Sequence, residues 1–401
     1  MMMKDIENRE AINDMARELL RLMAAGTTHM VDDVRRVPAG DYLDEERFRT
    51  ERTKLFRETP LVVAFTAELR EPGSFKLHEE TGVSVLVVRN EQGQAKAFVN
   101  ACRHRGAKLT EEPCGKQKRF TCPYHAWSFD LNGALASLPA NNLFGDVDKA
   151  TLGLVELPCE ERHGMIFAVL TPGAVMDLDS FLSGGEDLLR GWHLERNTLV
   201  GRRDLETRAN WKLALDSYCE NYHFHVLHSA DFSYKVKNCA HHVRFGDKGQ
   251  HWYLAWPSKS LEELRNVPES EWQDVHSHFS ILHFIYPNTI MALYPETLSV
   301  KQLYPGASVA EQNTKMAFFS READPSEEVK QLIQNRFDVF YKVLQQEDYW
   351  VCGGAYKNLE SGMLPEILFG RNEPALTWLH DALDEGVGVK PAEKVREIIA
   401  A

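Results

Sequence analysis

Two short runs carry the side chains with the most distinctive chemistry: Cys102-Arg103-His104 and, after seventeen intervening residues, Cys122-Pro123-Tyr124-His125. Each run supplies one thiol and one imidazole. A zinc finger ordinarily presents its cysteines as one pair and its histidines as the other. Here like ligands come together only if both runs contribute to each metal. That grouping suits a [2Fe–2S] cluster in which two thiolates hold one iron and two imidazoles hold the second. Imidazole is neutral where thiolate is charged, so such a cluster accepts an electron at roughly −150 to +300 mV, against about −400 mV for all-cysteine clusters of the plant type. A structural zinc site is the competing reading of the same four residues. Arg105-Gly106 after the first pair and Ala126-Trp127 after the second favour the cluster, and Cys114 between the pairs reads as a free thiol.

A second constellation lies between Asn210 and His228. Asp216, Glu220 and His223 are four and three residues apart, which puts them on one face of a helix read over residues 209–228. Trp211, Tyr218 and Tyr222 beside them argue against a solvated face. Two histidines and one carboxylate hold a mononuclear iron and leave positions open for oxygen. Helical spacing alone favours His225 with His228, three apart, over His223 with His228, five apart.

Together, the two Cys-His pairs and the run Asn-Trp-Lys…Glu-x-Tyr-His-x4-His resemble the oxygenase (α) component of the Rieske non-haem iron oxygenases. The resemblance extends from about residue 45 to a helix late in the chain. It implies Cys102, His104, Cys122 and His125 as ligands of a Rieske [2Fe–2S] cluster, and His223 and His228 as ligands of a mononuclear Fe(II). It also implies a third ligand from the late helix, where Glu347-Asp348 is similar to the family's Glu-Asp pair; Asp348 is the expected ligand and Glu347 the alternative. Glu220 falls where the family has a carboxylate bridging the metal centres of neighbouring subunits, an Asp in most ring dioxygenases. Glu220 and Asp216 are therefore the expected catalytic carboxylates. The implied fold class is α+β: a small all-β Rieske domain inserted in a larger catalytic domain with a central antiparallel sheet and flanking helices, a helix-grip (START-like) arrangement.

The implied activity is that of a terminal oxygenase, hydroxylating an aromatic or related organic small molecule with O2. Electrons come from a separate flavin/iron–sulfur reductase that oxidises NADH or NADPH, with or without a ferredoxin, because the chain has no Gly-x-Gly-x-x-Gly fingerprint of its own. The implied assembly is a homotrimer, or an α3β3 particle if a small subunit exists. Glu rather than Asp at 220 is similar to the oxygenases of quaternary ammonium compounds such as carnitine, choline and betaines, and this is the alternative reading. A Rieske electron carrier without catalysis would need only the first constellation.

The elements that must position these groups follow from patterning. Ile6, Met15, Leu19, Leu20 and Met23 fall near helical spacing, so residues 1–45 read as a helical segment packed on the catalytic domain. Short β-rich runs such as Ser84–Val88 and Lys96–Asn100, separated by Asn90–Gly93, mark residues 46–171 as the Rieske domain. Residues 172–401 read as the catalytic domain. Its late helix opens at Asp324-Pro325-Ser326-Glu327, with Asp324 as cap, and stops near Gly353-Gly354. Tyr218 and the aromatic strands from Trp252 to Tyr304 are expected to line the substrate pocket, with Trp256, Phe284 and Tyr294 as binding residues and Phe279 and Tyr286 as further candidates.

Composition narrows the classes. The chain has 401 residues, with 46 Lys+Arg against 59 Asp+Glu and a net charge of −13. That balance argues against a nucleic-acid partner, whose phosphates are neutralised by Lys and Arg. No stretch approaches 18 uncharged apolar residues, so no membrane association is expected. Seven scattered cysteines read as reduced thiols in the cytoplasm.

Overall fold

The computed structural model describes residues 8–228 and 235–389, and the chain divides into two compact units. One comprises Phe56–Leu178 with His193–Arg196; the other comprises Met1–Leu55, Asp179–Trp192 and Asn197–Ala401. The architecture is α+β, with the smaller, β-rich unit inserted in the chain of the larger. The first helix runs Arg9–Ala25 and buries Ile12, Met15, Ala16 and Leu19 along one stripe; Ile6 lies outside the described residues.

The smaller unit is built from antiparallel strands. A five-stranded sheet has the order Glu156–Leu157, Ala95–Val99, Val85–Arg89, Ser74–His78, Cys114–Lys116. Val85–Arg89 is buried at every position, and its turn into Ala95–Val99 is held by Asn90, whose side-chain oxygen accepts from the backbone N–H of Gln92 and Gln94. Two three-stranded sheets complete the unit. Phe98, Phe120, Trp127 and Phe129 close a core that also takes in Cys102 and Cys122.

The larger unit is organised on a seven-stranded antiparallel sheet, in the order Thr198–Thr207, Gln312–Ser320, Thr297–Pro305, Thr289–Leu293, Phe279–Ile285, His251–Pro257, His241–Phe245. Thr289–Leu293 and Thr297–Pro305 are buried along their whole length, as strands covered on both faces must be. Register sorts the side chains by face. Trp252, Phe284, Ile290, Lys301 and Met316 form one cross-strand row, and Leu254, Leu282, Ala292, Ser299 and Phe318 form the next row on the same face. Phe318 stacks on Phe337 of the helix Glu327–Val343, which places that helix over this face.

Three segments depart from the patterning. The helix read over residues 209–228 is two short helices, Trp211–Asp216 and Phe224–Leu227. The reason is local: the Glu220 carboxylate accepts from the backbone N–H groups of Tyr222 and His223, a side-chain-to-backbone bond that competes with helix continuation. Asp216, Glu220 and His223 therefore do not share a helical face. The late helix is capped by Ser326 rather than Asp324, and runs through Gly353-Gly354 to Glu360. Burial of Cys352, Tyr356 and Leu359 outweighs the roughly 1 kcal/mol that each helical glycine costs. Between Val343 and Tyr349 this helix widens into a π-helical turn, Leu344–Asp348.

The third departure concerns the domain boundary. The helix Glu45–Lys54, expected with the smaller domain, belongs to the larger unit. Its Glu51 is fully buried and accepts from Trp211 Nε1 (2.9 Å), Lys212 Nζ and Arg47 Nε (3.0 Å). This ties the helix to the start of Trp211–Asp216. Removing one partner of a buried ion pair leaves the other charge uncompensated, at a cost of about 3–5 kcal/mol. Glu51→Ala should lower stability to urea by about that amount, followed by tryptophan fluorescence. Glu51→Leu combined with Lys212→Met should recover most of the loss, and a Glu51→Ala protein as stable as the parent would show that the pair carries no stability.

Candidate metal centres

In the smaller unit, two loops of the same design hold the Cys-His pairs. Cys102 N–H donates to Ala107 O (2.8 Å) and Gly106 N–H to Cys102 O (2.9 Å); in the second loop Cys122 N–H donates to Trp127 O (2.7 Å) and Ala126 N–H to Cys122 O (3.0 Å). Gly106 and Ala126, each four residues after its cysteine, both take the left-handed conformation, at φ 76° and 56°. The paired turns put the two thiols side by side within hydrogen-bonding reach. They also bring His104 Nδ1 to 3.2 Å from His125 Nδ1. Sulfur thus faces sulfur and nitrogen faces nitrogen. Both cysteines are buried in the core, whereas His125 is exposed and His104 lies flat on Trp127, ring centroids 5.0 Å apart. Two adjacent imidazole nitrogens that share no acceptor, set over a pair of thiols, are the donor set of a cluster with one sulfur-held and one nitrogen-held iron.

In the larger unit, His223, His228 and Asp348 each offer one ligand atom, all within 4.8 Å of one another. Asp348 Oδ1 lies 3.4 Å from Nε2 of both histidines. The outer nitrogens are taken: His223 Nδ1 meets Glu220 Oε1, and His228 Nδ1 meets Glu347 Oε2 at 2.6 Å. Each imidazole is therefore oriented by a carboxylate so that Nε2 points inward, the arrangement that holds metal-ligating histidines. Asp348 Oδ2 is buried and has no hydrogen-bond partner among the described residues, so this carboxylate keeps an unsatisfied oxygen at the centre of the group. Two imidazoles, one carboxylate and an orphaned oxygen fit an Fe(II) with open positions. Burial opposes the charged form of His223, but hydrogen bonds from the imidazole to Asp348 and Glu220 outweigh it and raise the imidazole to about 9.

The three ligand atoms border a cavity of about 370 Å³. Tyr218, Phe224, Trp256, Tyr294 and Phe340 supply aromatic wall, Ser280, Leu282 and Ala292 supply floor, and Lys301 also lines it. Phe224 sits edge-on to Trp256 (5.5 Å) and to His223 (4.9 Å). Tyr218 is fixed through its hydroxyl, 3.2 Å from that of Tyr349, which is in turn 2.6 Å from Thr314 Oγ1. Burial pushes the Lys301 ammonium down to about 7, against the opposing pull of Asp348.

The expected site residues sort accordingly. Tyr218, Trp256, Tyr294 and Glu220 line the cavity. Phe284 does not: it is buried and stacked on Trp252 at 5.1 Å, one cross-strand row beyond Leu282. Phe279 and Tyr286 are likewise core residues. Asp216 is not at the cavity either; its carboxylate accepts from Tyr42 Oη (2.6 Å) and lies 3.0 Å from His380 Nε2, which makes it a packing contact rather than a catalytic one. His225 is exposed and outside the triad. Glu347, weighed only as a ligand, instead orients His228, while Phe224 and Lys301 had not been singled out at all. A lysine inside the otherwise uncharged strand Thr297–Pro305 was the available signal.

Comparison with known proteins agrees with this geometry. Residues 59–149 match the Rieske [2Fe-2S] domain, and residues 194–388 match the ring hydroxylating α subunit (catalytic domain). The chain belongs to the Rieske non-haem iron oxygenases. It is 28% identical over 329 residues to the carnitine monooxygenase oxygenase subunit of Escherichia coli (strain K12), covering 81% of this chain and 84% of that one. It is 30% identical over 194 residues to the glycine betaine monooxygenase oxygenase subunit of Pseudomonas aeruginosa (strain UCBPP-PA14), covering 48% and 44%. Among solved structures, a quaternary ammonium Rieske monooxygenase in complex with its substrate L-carnitine superposes with a TM-score of 0.74 at 22% identity, over 88% of this chain and 96% of that one. As a Rieske oxygenase the protein carries a [2Fe–2S] cluster and a mononuclear iron.

The two carboxylates of the late helix separate by their effect on this oxygenase's iron. Asp348→Ala should abolish iron retention. Glu347→Ala, which frees His228 to rotate, should weaken iron binding by about 10–100-fold. Neither should change the visible spectrum of the cluster. Chelator competition followed by metal analysis reads both, and equal losses in the two variants would contradict the separate roles.

Proposed function

We propose that this α subunit oxidises a quaternary ammonium compound at a carbon attached to nitrogen, as a monooxygenase. This reading replaces the aromatic-ring substrate taken first from the sequence, because the carnitine and glycine betaine monooxygenase subunits are relatives over much of the chain. The observation that carries it is the wall of the cavity beside His223, His228 and Asp348. Phe224, Trp256 and Tyr294 present ring surface there, and a cation over an aromatic face gains about 0.5–2 kcal/mol, most when desolvated. A cavity of about 370 Å³ suits a small molecule. Glu at 220, the feature that set this chain apart from ring dioxygenases, points the same way.

His223, His228 and Asp348 hold the iron, which when reduced supplies the binding and activation of O2. Glu220 and Glu347 keep both imidazoles in the tautomer that points Nε2 at it. Tyr218, fixed through Tyr349 and Thr314, and Trp256, braced by Phe224, set the substrate's position. The apolar wall keeps water from the reacting carbon. Overall, O2, two electrons and two protons convert one N-bound carbon to a carbinol and one oxygen atom to water. The carbinol then breaks its C–N bond, the bonding pair leaving on nitrogen as the hydroxyl loses its proton and becomes C=O, which releases a tertiary amine, a carbonyl compound and one proton.

The electrons require a partner reductase, and the assembly we propose is a homotrimer in which the cluster of one copy serves the iron of the next. Each unit carries a surface suited to that role. In the smaller one Tyr124 (55% exposed) lies against the exposed His125 at 3.8 Å, and the exposed Phe144 against His104 at 5.6 Å. In the larger one Tyr222 (63% exposed), Val226 and Trp350 lie close in sequence to Glu220, His223 and Asp348. Glu220 is the residue we assign to the link between copies. Among the described residues no helix is long and apolar enough to cross a membrane.

Turnover with an NADH-dependent reductase should release a tertiary amine, with an aldehyde, from glycine betaine, γ-butyrobetaine or choline, and no ring product from an arene panel. An arene diol carrying two ¹⁸O atoms from ¹⁸O2 would overturn the reading. With iron supplied in excess of an affinity weakened about 10–100-fold, as for Glu347→Ala, Glu220→Ala should keep an occupied iron site and a dithionite-reducible cluster while losing roughly 100-fold in turnover. Normal coupled turnover in that variant would remove Glu220 from the path.

A further inference from the structure

The cavity holds one charge that the proposed function does not use. Lys301 lies in the strand Thr297–Pro305, is 1% exposed, and lines the cavity. Lysine is almost never fully buried unless paired, because an ammonium taken out of water loses the solvation of three N–H donors. The other lysine buried to the same degree, Lys212, obeys this rule through Glu51. Among the described residues Lys301 has neither a hydrogen bond nor an ion pair. Its ammonium faces the rings of Phe340, at 4.6 Å, and Tyr218, at 5.8 Å, with the Asp348 carboxylate acting on it through charge alone. These two rings also line the cavity, so the unsatisfied donors are directed into it.

The other charged groups around the cavity do not neutralise this one. Glu220 and Asp348 are engaged by the histidines, and Lys235 is a second cation, at an exposed position. A substrate bearing only a positive charge would leave Lys301 unpaired, whereas an anion beside it would favour the charged ammonium that burial opposes. We infer that Lys301 seats an anionic group of the substrate, a carboxylate, so that the substrate is a zwitterion rather than a simple ammonium alcohol. This rests on the quaternary ammonium reading for its cationic half only.

The sheet sets the spacing. Tyr294 is four residues along its strand from Ile290, whose cross-strand partner is Lys301, and Trp256 lies four along from Trp252 in the same row as Lys301. At 3.4 Å per residue and about 4.8 Å per strand, the Tyr294 backbone lies roughly 14 Å from that of Lys301, one strand over, and the Trp256 backbone roughly 20 Å, three strands over. The four-methylene stem of Lys301 reaches into that interval. A quaternary nitrogen and a carboxylate joined by a short chain fit between the two ends, with Leu282 and Ala292 as the floor.

The test uses the holoenzyme with both metals, without reductase and without O2, and reads binding by calorimetry. The probes are γ-butyrobetaine, its methyl ester, choline and benzoate. The parent protein should bind γ-butyrobetaine at least 30-fold more tightly than the ester, the discrimination that a desolvated charge pair provides. Lys301→Met should erase that preference by weakening the acid and not the ester, and Lys301→Arg should keep part of it. Equal binding of acid and ester by the parent, which needs no variant, would overturn the inference. So would a Lys301→Met protein that binds γ-butyrobetaine as tightly as the parent. Benzoate binding that depends on Lys301, with no binding of γ-butyrobetaine or choline, would retain the anion seat and overturn the quaternary ammonium reading instead.

Discussion

Everything in the larger unit serves one constraint: two imidazoles must offer the same nitrogen to one point. An imidazole on a single bond rotates freely unless its second nitrogen is held. Glu220 holds His223 and Glu347 holds His228, each by the Nδ1 side. The two carboxylates come from segments more than a hundred residues apart, so the geometry exists only once the late helix has docked. The sheet provides the platform for that docking, through Phe318 against Phe337 and through strands buried along their whole length.

The smaller unit solves a related problem by repetition. Two turns of the same hydrogen-bond pattern, each with a left-handed residue in its fifth place, set thiol beside thiol and imidazole beside imidazole. Burying the sulfurs and exposing one histidine makes the site one-sided: the thiols that would hold one iron lie in the core, and a histidine that would hold the other faces outward.

How far the sequence could be read follows from which interactions are local. The Cys-His runs were legible because each places a thiol and an imidazole within a few residues, and the ligand types alone narrow the cluster. The α+β organisation was legible from the change between period-2 and period-3.6 patterning. The helix over 209–228 was misread because periodicity cannot see the Glu220 carboxylate capturing two backbone N–H groups. The choice between Glu347 and Asp348 needed the π-helical turn, which no residue type announces. Phe284 and Trp256 looked alike as aromatic strand residues on one face, and only their places in the folded sheet separate core from cavity. Lys301 and Glu51 mark the same limit: a charge in an apolar strand or a short helix shows its meaning once its partner, or the lack of one, can be seen.

The wide turn at Leu344–Asp348 has a mechanical side. Phe340, Val343 and Leu344 are wall of the cavity, and Asp348 is the carboxylate of the triad, so the surface a guest presses on and the group that grips the metal share one short piece of backbone. The helical segments on either side of the turn are wound out of step, with the turn as the joint between them. A push on Phe340 is thus a push on the lever whose far end is Asp348. Occupancy of the cavity and the seating of the metal become two readings of one small torque.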